Sequence, residues 1–306
     1  MRSFETPNPI SVDIEIAAGS VHLIAGDRSD TTVVVNPTEQ SRKADRDAVE
    51  KATIELSGGR LTVKTPKWSS YVGFRTGSVE VTIELPDKST LDVSTGFGDV
   101  NADGVFGEVN VKSGAGAIHV GKATGEVTAK SGAGAIHVDE ATGLQLTSGA
   151  GNLGVNRCRG SAKVTTAGDM RIARIDGDAE IKNLNGKTWM GTVGGRLRVR
   201  SANGDIAVDH ALSHVDMKTA NGNIAIGEVS SGDVTLGTAS GGLEIGIKEG
   251  SAAWVDAKTQ FGRVHNRLQA TEAPGNSEGE VAVQARTSFG DIYIDRSSNT
   301  QEQGEK

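Results

Sequence analysis

Along most of the chain, apolar and polar residues alternate in short runs that restart after a glycine. The unit is Gly-x-Φ-x-Φ, with Φ apolar: Ile118 and Val120 follow Gly116, Val127 and Ala129 follow Gly125, and Ile206 and Val208 follow Gly204. A period of two is the signature of a strand with Φ facing in and x facing out. The runs recur at a fixed interval. SGAGAIHVGKATGEVTAK, from Ser113, is followed at once by SGAGAIHVDEATG. The glycine that opens each run recurs every 17 to 19 residues from Gly98 to Gly241, then after 21 at Gly262 and after 28 at Gly290. A second glycine sits nine residues on, at Gly107, Gly125, Gly143, Gly160, Gly177 and Gly195, with Ser213 in its place in the next repeat. The pattern predicts an all-β chain: a parallel β-helix or β-solenoid of about 18 residues and two main strands per coil, with successive segments stacked in chain order.

Polar positions repeat with the same period. A hydroxyl stands three residues before each opening glycine, at Thr95, Ser113, Ser131, Ser148, Thr165, Ser201, Thr219, Thr238, Thr259 and Thr287, with Asn183 the exception. Stacked at the strand spacing of ~4.8 Å, these residues are placed to satisfy polar groups at the corners. Asn185, Asn203 and Asn221 suggest an amide ladder of the same kind.

The ends are less regular. Gly19-Ser-Val-His-Leu, Gly59-Arg-Leu-Thr-Val and Gly77-Ser-Val-Glu-Val carry the half-pattern at wider intervals. Residues 1–93 therefore read as N-terminal β coils and a cap, 94–296 as regular solenoid repeats, and 297–306 as a disordered polar tail. Ala44–Ala52 is charged and fits either a helical turn or two, or a loop. The extra residues before Gly290 include ATEAPGNSEGE, expected as an exposed loop. Trp68, Tyr71 and Phe74 cluster in another expected loop, either as a plug over the core or as a partner contact.

Composition agrees with a thin, repeated core: of 306 residues 41 are glycine and 6 proline, and only 4% are aromatic. A net charge of −7 gives no overall pull toward nucleic acid or anionic lipid. The single cysteine, Cys158, excludes an internal disulfide framework and a Cys-cluster metal site, and reads as a small buried side chain. Met1–Gly19 lacks the apolar segment of a signal peptide, and no stretch has the ~20 apolar residues of a membrane span. A cytoplasmic location is expected from this.

The strand LTVKTP at 61–66, the segment SVEVTIELPDKSTLDVSTGFGDV at 78–100 and the [ST]-x-x-G-x-Φ-x-Φ coils that follow resemble the bacterial putative-adhesin family of β-strand-repeat proteins. The resemblance runs from about Ile10 to Asp295. It implies a right-handed parallel β-helix and a surface location, and supplies no catalytic residues to carry across.

Candidate chemistry is sparse. His119 and His137 share one outward position on adjacent coils, where stacking sets them about 5 Å apart. A two-His metal site needs further ligands, and the column continues as Asn101 on one side and Gly154 on the other, so stacked exposed imidazoles are expected. Asp99, Asp169, Asp205 and Asp291 follow opening glycines, but no two adjacent coils both carry Asp, which argues against shared calcium sites. Lys112, Lys130, Lys182, Arg200 and Lys218 share a register, while Arg198 is flanked by Glu180 and Asp216, the pattern of a solvated, charge-laced face. No G-x-S-x-G, P-loop or H-E-x-x-H occurs. The expectation is a scaffold or binding protein with no cofactor, engaging a protein partner or itself. The alternative is a carbohydrate-binding or carbohydrate-processing β-helix.

Overall fold

The computed structural model describes residues 1–66, 77–268 and 279–297. They form two compact units, one of residues 1–160 with 164–167, the other of 161–163 with 168 onward. The segment expected as an exposed loop lies largely outside the described residues, as does most of the tail.

In the first unit the strands Thr90–Phe97, Val109–Ala115, Glu126–Ala133 and Gly143–Ala150 pair in parallel to form one wall. Val100–Phe106, Ile118–Ala123, Ile136–Ala141 and Leu153–Cys158 form the other. Register is in column: Val109, Val127 and Leu144 stand above one another, as do Ile118, Ile136 and Leu153. All six are buried, and outward neighbours alternate with them, so the interior is a narrow aliphatic stack. This is a parallel β-solenoid, as the repeat predicts. Its turns need glycine at the opening position. Gly116 has φ +142°, and a Cβ there would lie 2.1 Å from the carbonyl oxygen of Gly98 in the coil below.

The stacking order departs from the chain order at the N-terminus. The long strand Ser11–Gly26 contributes to both walls, and both Arg60–Lys64 and Val79–Pro86 lie outside it. Antiparallel strands then close this outermost coil: Thr53–Ser57 pairs with Arg60–Lys64, Asp30–Pro37 with Val79–Pro86, and Arg2–Glu5 with Asp30–Pro37. The charged segment after Ala44 is a helix, Lys43–Glu50, rather than a loop. Its buried Asp45 accepts the N–H groups of Glu39 at 3.1 Å and Ser78 at 2.9 Å, pinning the helix to the cap.

The second unit repeats the same construction. One wall comprises Met170–Ile175, Thr188–Val193, Ile206–Ala211, Ile224–Val229 and Leu243–Ile247, and the other Ala179–Asn183, Leu197–Ser201, Val215–Asn221 and Gly232–Ser240. Chain order fails again at its end. The last strands, Glu280–Phe289 and Ile292–Arg296, pair directly with Gly232–Ser240 and Leu243–Ile247, while the earlier Ala252–Phe261 and Val264–Asn266 lie outside them. Composition explains the exchange. The inner coil brings Val281, Val283, Ala285, Ile292 and Ile294, all 0 to 2% exposed, whereas the outer one offers Ala253, Val255 and Ala257, which are half-buried, and an exposed Val264. Seating the more apolar coil inside removes more surface from water.

Candidate binding surface at the terminal coils

The repeated polar positions serve the fold. Ser113, Ser131 and Ser148 donate to the carbonyl oxygens of Gly98, Gly116 and Gly134 in the neighbouring coil, at 3.3, 3.1 and 2.9 Å. In the next repeat it is Thr166, not Thr165, that turns inward and donates to Gly151 at 2.9 Å, because the strand register there is set by the buried Val164. Asn183 substitutes with an amide, donating to Gly186 at 3.2 Å and Thr188 at 3.0 Å. The Asn185–Asn203–Asn221 ladder forms, with side-chain bonds of 3.0 and 2.9 Å. The corner aspartates have a function that the repeat alone did not disclose. Asp99, Asp169, Asp205 and Asp291 accept the N–H groups of Ala117, Lys187, Asn223 and Arg263 at 2.7 to 2.8 Å. Each caps an amide of the adjacent coil.

His119 and His137 stack as expected, 5.5 Å between ring centroids and 9° between planes. Carboxylates do stand beside them, contrary to the column-only expectation. Asp103 lies 3.8 Å from Nε2 of His119, and Asp139 lies 3.1 Å from Nε2 of His137. Asp139 sits two residues along the strand from His137, and Asp103 sits on the neighbouring coil two residues beyond Asn101, the residue in register with His119, so neither lies in the histidine column. Asn101 and Asn156 donate to the same two carboxylates, at 2.9 and 3.0 Å. Among the described residues no three His, Cys, Asp or Glu side chains are arranged to hold a metal ion. The basic stripe is laced with acids: Lys182 meets Glu180 at 3.1 Å, Arg198 lies 4.0 Å from Asp216, and Arg200 is hydrogen-bonded to Asp216. That bond from Arg200 holds the Asp216 carboxyl below the usual carboxylate range. Trp68, Tyr71 and Phe74 lie outside the described residues.

Aromatic side chains gather instead on the two outermost coils of the second unit. Phe261 stacks on Phe289 with centroids 4.9 Å apart and planes 8° from parallel. Around the same corner His265 stacks on Tyr293, at 4.7 Å and 7°. Phe261 and Phe289 are 65% and 56% exposed, and Trp254, on the outermost strand, is 76% exposed. Beside Trp254, Asp256 is hydrogen-bonded by Arg286 of the inner coil, which lowers the Asp256 pKa.

Residues 10–305 match the family model described as Toastrack DUF4097. The chain belongs to the Toastrack DUF4097 family. Three solved structures illustrate what this Toastrack chain is similar to. A "putative lipid binding protein" of Parabacteroides distasonis shares 12% identity over 96% of this chain and 95% of its own, with a TM-score of 0.33. A "putative cell adhesion protein" of Clostridium sporogenes shares 13% over 96% and 98%, with a TM-score of 0.22. A "putative adhesin" of Bacteroides fragilis shares 11% over 96% and 95%, with a TM-score of 0.26. No curated protein matches the sequence.

The aromatic corner of this Toastrack chain had a trace in the sequence. Thr-x-Phe-Gly occurs at 259–262 and 287–290, and also at 95–98, where Phe97 is 52% exposed. The phenylalanine precedes the opening glycine at a position held elsewhere by alanine, asparagine or serine: Ala115, Ala133 and Ala150 pair in register in the first unit, and Asn221 and Ser240 do so in the second. A large apolar side chain where the repeat otherwise tolerates a small or polar one marks a surface under a separate constraint.

Proposed function

We propose that this protein is a non-catalytic, adhesin-like solenoid scaffold that binds a protein partner through the terminal coils of its second unit. The observation that carries the reading is the set of exposed aromatics on these coils: Trp254 on one wall, the stacked pair Phe261–Phe289 at the corner, and His265 stacked on Tyr293 on the other wall. Rings held against one another lose little further freedom on binding, and such residues dominate the energetics of protein interfaces. The strands beneath them are paired in register on the inner coil, so the platform is preformed.

The test replaces Phe261 and Phe289 together by serine. Both rings are more than half exposed, so the variant keeps its thermal midpoint. Wild type is expected to retain a stoichiometric protein partner in cross-linking mass spectrometry, and the variant to lose it. Selective capture on a glycan array by wild type, lost in the variant, would replace this reading with a carbohydrate-binding one.

A further inference from the structure

The outermost coil of the first unit is closed by antiparallel strands on both walls. Among the described residues the outermost coil of the second unit is not. Among the described residues, Ala252–Phe261 pairs only with Glu280–Phe289, and its other edge meets no strand. Its inward side chains Ala253, Val255 and Ala257 are half-buried, whereas Val281, Val283 and Ala285, beneath them in the same columns, are 0 to 2% exposed. An unpaired edge beside half-covered core residues calls for a further strand.

We infer that this strand is supplied by a second copy of the chain, paired antiparallel along Ala252–Phe261 with Asp256 of each copy opposite Lys258 of the other. The inference rests on the protein-binding reading above and names the partner. A two-fold axis across an edge strand makes the contact isologous, so the strand must be complementary to itself. The backbone permits it. Ala252 donates to Gly279 at 2.9 Å, which directs the peptide groups of even-numbered residues toward the inner coil. In a parallel ladder the odd-numbered residues 253, 255 and 257 then present N–H and C=O to the open edge.

Charge selects the register. With the axis at Asp256, the two copies of this carboxylate oppose each other; with the axis at Lys258, the two ammonium groups do. With the axis at Ala257, two Asp256–Lys258 pairs form, Ala257 faces Ala257, and Val255 faces Thr259. Opposite charges across a strand pair stabilise and like charges destabilise. Lys258 stands in register with Arg286 and shares with it the nearest acid on its own strand, Asp256, which Arg286 bonds directly. Asp256 of a second copy supplies a further negative charge, and Trp254 comes to lie opposite Gln260, diagonal to the incoming Lys258 and within reach of its ammonium group.

Sedimentation velocity and native mass spectrometry of the full chain test the inference. Wild type is expected to dimerise, and Lys258→Glu to weaken the dimer by about tenfold or more by placing acids opposite one another. The double exchange Asp256→Lys with Lys258→Asp restores it. Ala257→Cys is expected to form an interchain disulfide on oxidation, because residues at the axis sit about 5.5 Å apart between Cα atoms. A monomeric wild type overturns the inference, as does a dimer indifferent to Lys258→Glu and not cross-linked through Ala257→Cys. If that monomer still loses another protein on replacement of Phe261 and Phe289, only the identity of the partner is wrong. If no protein binds, both readings fall.

Discussion

The ring of Phe261 lies flat on the ring of Phe289, 4.9 Å away, although Phe289 belongs to a coil that arrives later in the chain and sits deeper in the stack. The contact exists because the two coils are neighbours in the stack, so the phenylalanines that precede their opening glycines fall in one column. Two of the three copies of a four-residue motif thereby form a single aromatic surface. The same adjacency stacks His265 on Tyr293 on the other side of the corner.

Adjacent residues should respond oppositely to substitution. Ile118 is 1% exposed within the aliphatic stack, and His119 points outward. Ile118→Asp buries an unpaired charge and is expected to cost about 3 kcal/mol or more. His119→Ala should stay within about 0.5 kcal/mol of wild type. Urea unfolding followed by circular dichroism measures both, and equal effects would contradict the assigned facing.

The corner carboxylates should show their capping role one amide at a time. Asp205 accepts the N–H of Asn223 at 2.8 Å, and Asn223 in turn accepts the N–H of Gly242 at 2.8 Å through its amide oxygen. Asp205→Ala is expected to cost about 1 kcal/mol and to accelerate hydrogen exchange at Asn223. Asp205→Asn should lose less than half of that, since asparagine already does this work one coil on. Unchanged exchange at Asn223 in the alanine variant would remove the cap from the account.

Acid should weaken one ion pair in a defined direction. The Asp216 pKa is lowered chiefly by its hydrogen bond from Arg200. Because the folded value lies below the unfolded one, the stabilisation is complete above the unfolded carboxylate range, near pH 4, and fades as pH falls through the folded value. The Asp216 side chain is 38% exposed, so solvent screening holds the contribution below about 1 kcal/mol. Carboxyl NMR titration should show the Asp216 midpoint rising in Arg200→Met, and an unmoved midpoint would assign the shift to another cause.

The columns were legible from sequence because stacking forces equivalent residues into equivalent surroundings. Ile118 above Ile136, His119 above His137 and Glu180 beside Arg198 all follow from a spacing near 18. What spacing could not give was the order in which coils stack. That order depends on how much apolar surface competing segments bury, as with Val281, Val283 and Ile292 against Ala253, Val255 and Val264. The same limit hid the N-terminal exchange, where Ser11–Gly26 lies inside Arg60–Lys64. A slip of one residue moved the inward hydroxyl from Thr165 to Thr166, since a 17-residue step can be absorbed on either side of the corner. The acids beside the imidazoles lie off the histidine column, Asp139 along the strand and Asp103 diagonally on the neighbouring coil, so equivalence of position does not reveal them. The aromatic corner was open to the same spacing, since Phe261 and Phe289 precede successive opening glycines.

The intercalated coil makes the C-terminal strands a keystone rather than a last layer. Ala252–Phe261 rests on Glu280–Phe289, and Val264–Asn266 rests on Ile292–Arg296. A chain shortened before Glu280 therefore forfeits two coils instead of one, together with both stacked ring pairs. During synthesis the segment around Trp254 leaves the ribosome before its support exists, so the terminal surface can assemble only when translation of the strands beneath it is done.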